Sequence, residues 1–103
     1  MAVAERSFPA DHPAAQGHFP GNPVIPGAVL LAETLQAIEG GLGLSLATCR
    51  IRSAKFLAPA RPGDRVAIEF SRSGVDAIRF ACTVGTRTVL RGELQCCAGP
   101  TEA

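Results

Sequence analysis

Residues 17–27, which read Gly-His-Phe-Pro-Gly-Asn-Pro-Val-Ile-Pro-Gly, are the stretch on which the interpretation of this chain depends. They end a longer segment, residues 9–26, that contains five prolines and both histidines of the sequence. A long irregular segment in so short a chain is typically either functional or disordered. Residues 27–39 lack proline and are rich in good helix formers, so we predict a helix that begins directly after Pro26.

The predicted helix is apolar around most of its circumference. Its polar side chains are those of Glu33, Thr34, Gln36 and Glu39. We expect a helix without a polar face to be covered by other structure on most sides. A group of glycines is expected to end it, namely Gly40, Gly41 and Gly43.

The rest of the sequence contains short runs with the alternation of apolar and polar residues that is typical of strands. We predict strands over residues 45–58, 65–72, 77–86 and 88–97, and an N-terminal edge strand over residues 2–8. One helix followed by an antiparallel meander predicts an α+β fold, in which a curved sheet surrounds a single central helix. We expect residues 1–103 to form one domain.

Composition and charge exclude several classes of function. The formal net charge is +1, and no basic stripe or aromatic platform is present, so nucleic acid is not an expected partner. The N-terminus lacks the pattern of a signal peptide, and the longest apolar stretch, residues 24–35, is too short to span a bilayer. We therefore expect a cytoplasmic protein. Its core lacks Trp and Tyr and is thin, which favours a homodimer or a higher homo-oligomer.

The cysteines and histidines do not predict a metal site or a disulfide. The four cysteines are Cys49, Cys82, Cys96 and Cys97. Their spacing fits no zinc motif, and the adjacent pair would point to opposite faces of a strand, so we expect reduced thiols. The two histidines, His12 and His18, lack a third or fourth ligand, and we expect no metal.

The segment resembles the signature of the hot-dog dehydratases, which remove water from beta-hydroxyacyl thioesters on acyl carrier protein. Every fixed position of the family pattern GHFPGxPxxPG is present in residues 17–27. Lys55-Phe56 followed by Arg61-Pro62-Gly63-Asp64, and the run of residues 91–96, are also similar to the family. The resemblance implies a hot-dog fold over about residues 3–97. It further implies a dimer that converts a 3-hydroxyacyl thioester, on acyl carrier protein or coenzyme A, to the trans-2-enoyl form without a cofactor.

The resemblance also implies roles for individual residues. His18 is expected to be the catalytic base, because a neutral imidazole is a competent base near neutral pH. The amide of Gly27, at the first turn of the helix, is expected to polarise the thioester carbonyl, since amides there lack intrahelical partners. We expect three further residues to contact the substrate, namely Phe19, Pro26 and Gln36.

The sequence departs from the family at the catalytic acid. In the family this residue lies fourteen positions after the histidine, where this chain has Ala32. Gln36 stands where the family has its glutamine, so the register is intact. Glu33 is the next residue, about 100° further round the helix. We take Glu33 as the candidate proton donor, with a water molecule as its substitute; an exposed or interfacial carboxylate is the alternative for Glu33.

Two other functions remain open at this level. A thioesterase of the same fold would use Glu33 to activate water. A non-catalytic acyl-binding or partner subunit would explain Ala32, and a second subunit could then supply the acid. A group of basic residues could receive an acidic carrier protein or form a solvated face, namely Arg50, Arg52, Lys55 and Arg61.

Overall fold

One antiparallel sheet and one helix form the part of the chain that the computed structural model describes, residues 2–8, 24–43 and 45–96. The strands are β1 (Ala2–Ser7), β2 (Cys49–Phe56), β3 (Arg65–Ser73), β4 (Ala77–Val84) and β5 (Arg87–Cys96). They lie in the order β1-β3-β4-β5-β2, so that β1 and β2 are the two edges. The helix α1 (Gly27–Leu42) connects β1 to β2.

The core lies between α1 and the apolar face of the sheet. Alternate residues of β3 and β4 point to this face, because successive side chains of a strand lie on opposite sides. The buried residues of these two strands include Val66, Ile68, Phe70, Ile78, Phe80 and Cys82. The helix contributes Leu30, Thr34, Ala37 and Ile38. The alternation visible in the sequence therefore does select the buried face of the central strands.

The helix is three residues longer than predicted. It continues through Gly40 and Gly41 and ends at Gly43, which has a left-handed backbone (φ 68°) and donates its N–H to the Glu39 carbonyl at 2.8 Å. Only a residue that tolerates positive φ ends a helix in this way without strain. Strand β2 begins later than predicted, because residues 45–48 form a turn in which the Leu46 N–H donates to the Glu39 carboxylate at 2.8 Å.

The expectation that other structure covers the helix on most sides is wrong for the single chain. Only one face of α1 is buried, whereas Ala28, Ala32 and Gln36 on the opposite face are exposed. The edge strand β2 is also open, with Ile51 44% exposed and Phe56 51% exposed. The sheet therefore covers the helix from one direction, and an apolar surface remains on the other.

A disulfide between Cys49 and Cys96 links β2 to β5, contrary to the expectation of reduced thiols. The antiparallel register places the two residues directly opposite each other, although 47 positions separate them in sequence. A pairing that depends on strand register leaves no spacing signature in the sequence. Cys82 is a free thiol, and it is fully buried.

We predict that the purified protein, denatured without reductant, exposes two fewer reactive thiols than after reduction. The bond closes a loop of 47 residues, so its reduction should lower the free energy of unfolding by about 4 kcal/mol. Thiol titration and thermal unfolding measure the two effects. Cys96→Ser should abolish the difference in thiol count, and Cys97→Ser should preserve it. Equal thiol counts before and after reduction would contradict the assignment.

Candidate functional site

The first turn of α1 presents backbone amides without partners. Pro26 is the N-cap residue (φ −57°, ψ 143°), and its carbonyl accepts the N–H groups of Val29 at 3.0 Å and Leu30 at 3.1 Å. No side chain of the described residues caps the helix, and its first turn carries no acidic residue. The amides of Gly27 and Ala28 have no acceptor among the described residues. Free amides at the positive end of a helix dipole favour a negatively charged oxygen.

A cleft of about 530 Å³ lies at this end of the helix. It is lined by Ile25, Gly27 and Leu30 on the helix side and by residues 56–60 on the sheet side. All these side chains are apolar. Apolar walls exclude water and strengthen a hydrogen bond from an amide to a developing oxyanion. The cleft therefore suits an acyl chain whose carbonyl approaches the start of the helix.

Hydrogen bonds fix the sheet side of the cleft to the rest of the fold. The Ile25 N–H donates to the Ala60 carbonyl at 2.7 Å, which joins the two walls. The Leu57 N–H donates to the Val89 carbonyl at 2.9 Å, and Arg87 Nη2 lies 3.4 Å from the Pro59 carbonyl. These contacts tie the wall to the helix entry and to β5, so the fold itself sets the shape of the cleft.

The turn that follows the wall has its own support. The Asp64 carboxylate accepts the Arg61 N–H at 2.8 Å and lies 3.9 Å from the Arg87 guanidinium. The Asp64 N–H in return donates to the Arg61 carbonyl at 3.0 Å. Gly63 at this turn has φ 94°, which favours glycine. The Arg-Pro-Gly-Asp sequence is therefore the turn that returns the chain from the cleft to β3.

Of the predicted site residues that the structure describes, Gly27 lines the cleft, and Pro26 is the N-cap residue directly before it, outside the lining. Two others lie away from the cleft. Glu33 does not line the cleft, and its Oε1 atom lies 3.6 Å from Nε of Arg6 on β1. Gln36 is exposed and lies nine residues after Gly27, about 13.5 Å along the helix axis. The catalytic and binding roles of all four stay predictions.

Two further predicted residues, His18 and Phe19, lie outside the described residues, as does His12. The chain enters the described part again at Val24, two residues before the N-cap. In the sequence, the candidate base His18 lies nine residues before Gly27.

The sequence did not identify the wall formed by residues 56–60. Phe56 and Leu57 are both about half exposed, at 51% and 49%. Successive side chains of a strand lie on opposite faces, so the core can bury at most one of two adjacent apolar residues. The adjacent Phe-Leu pair at the end of the strand could therefore have been recognised in the sequence. It indicates an apolar surface outside the core.

Thr34 and Cys82 form a buried contact beneath the helix. Thr34 Oγ1 donates to the Leu30 carbonyl at 2.8 Å and lies 3.3 Å from Cys82 Sγ. Burial raises the pKa of the Cys82 thiol, and the hydrogen bond to Thr34 opposes this shift more weakly. The thiol therefore stays protonated near neutral pH and belongs to the core.

Among the residues that the structure describes, no group of three or more His, Cys, Asp or Glu side chains could hold a metal ion. In the same residues, no helix has the length and apolar character needed to cross a membrane. The described residues that line the cleft contribute apolar side chains and backbone amides.

One helix on a five-stranded antiparallel sheet, with a cleft at the start of that helix, defines a hot-dog domain. Solved structures that superpose on this chain have the same fold. The dehydratase heterocomplex ApeI:P from Xenorhabdus doucetiae superposes with a TM-score of 0.73 at 18% identity, over 92% of this chain and 85% of that one. Slr0204 from Synechocystis, a 1,4-dihydroxy-2-naphthoyl-CoA thioesterase, gives 0.63 at 19% identity, over 95% and 82%. These likenesses confirm the predicted fold.

Sequence similarity identifies the family within this fold. The model of the ApeI-like dehydratases matches residues 1–93. The 3-hydroxyacyl-[acyl-carrier-protein] dehydratase FabZ of Chlamydia trachomatis is 34% identical, over 89% of this chain and 69% of that protein. The chain belongs to the ApeI-like dehydratase family, and the resemblance stated from residues 17–27 is confirmed.

Proposed function

We propose that this protein is a hydro-lyase that converts a 3-hydroxyacyl thioester on acyl carrier protein to the trans-2-enoyl thioester. The observation that carries the proposal is the apolar cleft at the start of α1, which no side chain of the described residues caps. The helix entry directly follows the His18-containing motif, and the chain belongs to a dehydratase family. The reaction uses only proton transfer and carbonyl polarisation, and it needs no cofactor.

In the proposed reaction, His18 removes the proton at the second acyl carbon. The electron pair moves into the thioester group, and the amide of Gly27 donates a hydrogen bond to the oxygen that gains the charge. The pair then returns to form the double bond as the bond between the third carbon and its hydroxyl breaks. The hydroxyl takes up one proton and leaves as water.

The proton for the leaving hydroxyl comes from Glu33 or from a water molecule. The Arg6–Glu33 ion pair favours water, because Glu33 would have to leave Arg6 and turn towards the cleft. Ala32 lies on the exposed face of the helix, and its methyl group has no proton to donate. A partner chain packed on this face is a third source, and the ApeI:P heterocomplex is a relative in fold that assembles from two chains.

We propose a homodimer as the acting form. The exposed helix face and the open edge β2 together leave apolar residues uncovered, among them Ala32 and Ile51. An edge strand presents a row of unpaired backbone N–H and C=O groups, which can pair with another chain. A second copy that pairs along β2 would cover both surfaces at once and supply the burial that a short chain lacks.

We also propose that the carrier is acyl carrier protein and that the protein acts in the cytoplasm, where these thioesters are processed. The exposed basic residues Arg50 and Lys55 on β2 offer positive charge to an acidic carrier, and Lys55 directly precedes the cleft residue Phe56. The Cys49–Cys96 bond is an opposing observation, because disulfides are rare in a reducing cytosol. Because the cytosol is reducing, we expect Cys49 and Cys96 to be reduced thiols inside the cell.

The first prediction concerns the base. Incubation with 3-hydroxyoctanoyl-acyl-carrier protein should give enoyl product, which mass spectrometry detects as loss of water. His18→Ala should lower turnover by about 10²–10⁴-fold, because general-base catalysis contributes about that factor. His12→Ala is the matched control and should retain activity. Equal turnover in His18→Ala and the unmodified protein would refute the role of His18, and release of free thiol without enoyl product would indicate a thioesterase.

The second prediction concerns the proton donor. Glu33→Gln should retain turnover within a few-fold, because the carboxylate is paired with Arg6 and does not line the cleft. Glu39→Gln is the matched control on the same helix, since the Glu39 carboxylate accepts the Leu46 N–H at 2.8 Å. Rates of enoyl formation measure both. A loss of a hundredfold or more in Glu33→Gln alone would identify Glu33 as the acid.

The third prediction concerns the dimer. Sedimentation should give twice the chain mass of 10.7 kDa. Ile51→Lys should shift the protein towards monomer, because it replaces an exposed apolar side chain of the edge strand with a charge. Val75→Lys, at a turn residue that is 84% exposed, should leave the dimer intact. A monomer in the unmodified protein would contradict self-association and direct the search to a second chain.

A further inference from the structure

Two glycines of α1 each lie against a phenylalanine ring. A Cβ atom on Gly27 would lie 3.0 Å from Cε1 and 3.1 Å from Cζ of Phe56. A Cβ atom on Gly41 would overlap the ring of Phe70. Neither glycine has a positive φ, so the backbone conformation does not require glycine at either position. The ring of Phe70 leaves no space for a side chain at Gly41, and the ring of Phe56 would have to shift by a few tenths of an ångström to admit one at Gly27.

The two rings differ in what surrounds them. Phe70 is 2% exposed and belongs to the core, so burial of its surface explains its position. Phe56 is 51% exposed and lines the cleft. Phe56 is thus only half buried in the single chain, although the edge of its ring lies close to the start of the helix. The position of Phe56 at the helix start therefore needs a reason other than core packing.

The backbone that carries Phe56 is fixed. Phe56 pairs with Leu90 at the end of β2, and the next residue, Leu57, donates its N–H to the Val89 carbonyl at 2.9 Å. The ring itself borders the open cleft on one side. Its position can therefore change only by rotation about its side-chain bonds, between a few staggered rotamers.

We propose that Phe56 determines the specificity of the cleft, because its ring limits the bulk of the acyl group beside the thioester carbonyl. The inference rests on the proposed function, since it takes the Gly27 amide as the donor to the carbonyl. An oxygen that reaches this amide passes the edge of the Phe56 ring. The acyl carbons next to the carbonyl then contact the ring, which accepts an unbranched chain and excludes a bulky substituent.

Phe56→Ala tests the proposal through binding. Hexanoyl- and 3-cyclohexylpropanoyl-pantetheine are saturated thioesters that cannot be dehydrated, and calorimetric titration gives the ratio of their dissociation constants. The unmodified protein should prefer the hexanoyl thioester. Phe56→Ala should shift the ratio towards the cyclohexyl thioester by about tenfold or more, since a single methylene in a pocket is worth 10–200-fold. Val75→Ala, remote from the cleft, should leave the ratio unchanged.

A second measurement tests the contact itself. Gly27→Ala should lower the melting temperature of the unmodified protein, because the new methyl group meets the ring. In the Phe56→Ala background the same substitution should cost less, since the ring is absent. Gly40→Ala is the matched control, because no atom lies within 4 Å of its Cβ position, and it should not lower the melting temperature. Additive effects of Gly27→Ala and Phe56→Ala would overturn the contact and the proposal.

Rates with the two corresponding 3-hydroxyacyl-carrier-protein thioesters separate this inference from the proposed reaction. A shifted binding ratio without enoyl product from either substrate supports the role of Phe56 and refutes the dehydratase. Enoyl formation with unchanged ratios of binding and of rate overturns the role of Phe56 and leaves the dehydratase intact. A shift of both ratios in the same direction supports both.

Discussion

The hydrogen bond between the Ile25 N–H and the Ala60 carbonyl holds the start of α1 against the segment that leaves β2, and the cleft depends on it. Both residues are buried, at 4% and 1% exposure, and the bond is 2.7 Å long. An unpaired buried amide costs about 1–3 kcal/mol, so the two segments cannot separate without a penalty. Ile25 directly precedes the N-cap residue Pro26, whose ring fixes φ near the observed −57°. This contact therefore holds the segment that leads into the first turn of α1 against the sheet side of the cleft.

The same arrangement explains why the single chain leaves so much apolar surface uncovered. A sheet of five strands covers one face of α1, and the core forms on β3, β4 and β5. The edge strand β2 lies beyond this covered area, although it carries Ile51 and Phe56. The bond between Cys49 and Cys96 secures the first residue of β2 to β5, and the hydrogen bond after Phe56 secures its last. The edge is thus fixed to its neighbour on one side and open for pairing on the other.

The sequence predicted the elements and their order because each depends on local patterns. Alternation identified β3 and β4, and the proline-to-glycine step identified the start of α1 to the residue. Local patterns do not predict contacts between segments that are distant in the sequence. The pairing of Cys49 with Cys96 depends on strand register, and the cleft wall at residues 56–60 depends on where β2 leaves the sheet. The helix continues past Gly40, and Gly41 lies against the Phe70 ring, a contact that no local preference encodes. The ion pair of Glu33 with Arg6 likewise follows from the packing of α1 beside β1.

Because Ala32 stands where the family has its acid, we expect the proposed reaction to be slower but to remain a dehydration. General-acid catalysis is worth about 10²–10⁴-fold, and a single oxyanion donor is worth about 10²–10³-fold. Elimination begins with loss of a proton next to the thioester, a step that uses the base and the donor but not the acid. Water can then protonate the departing hydroxyl at a lower rate. Hydrolysis of the thioester would instead require a group that activates water, and the described lining of the cleft contains no carboxylate. In the proposed reaction, the missing acid would therefore slow dehydration, and the described lining offers no carboxylate that would favour hydrolysis instead.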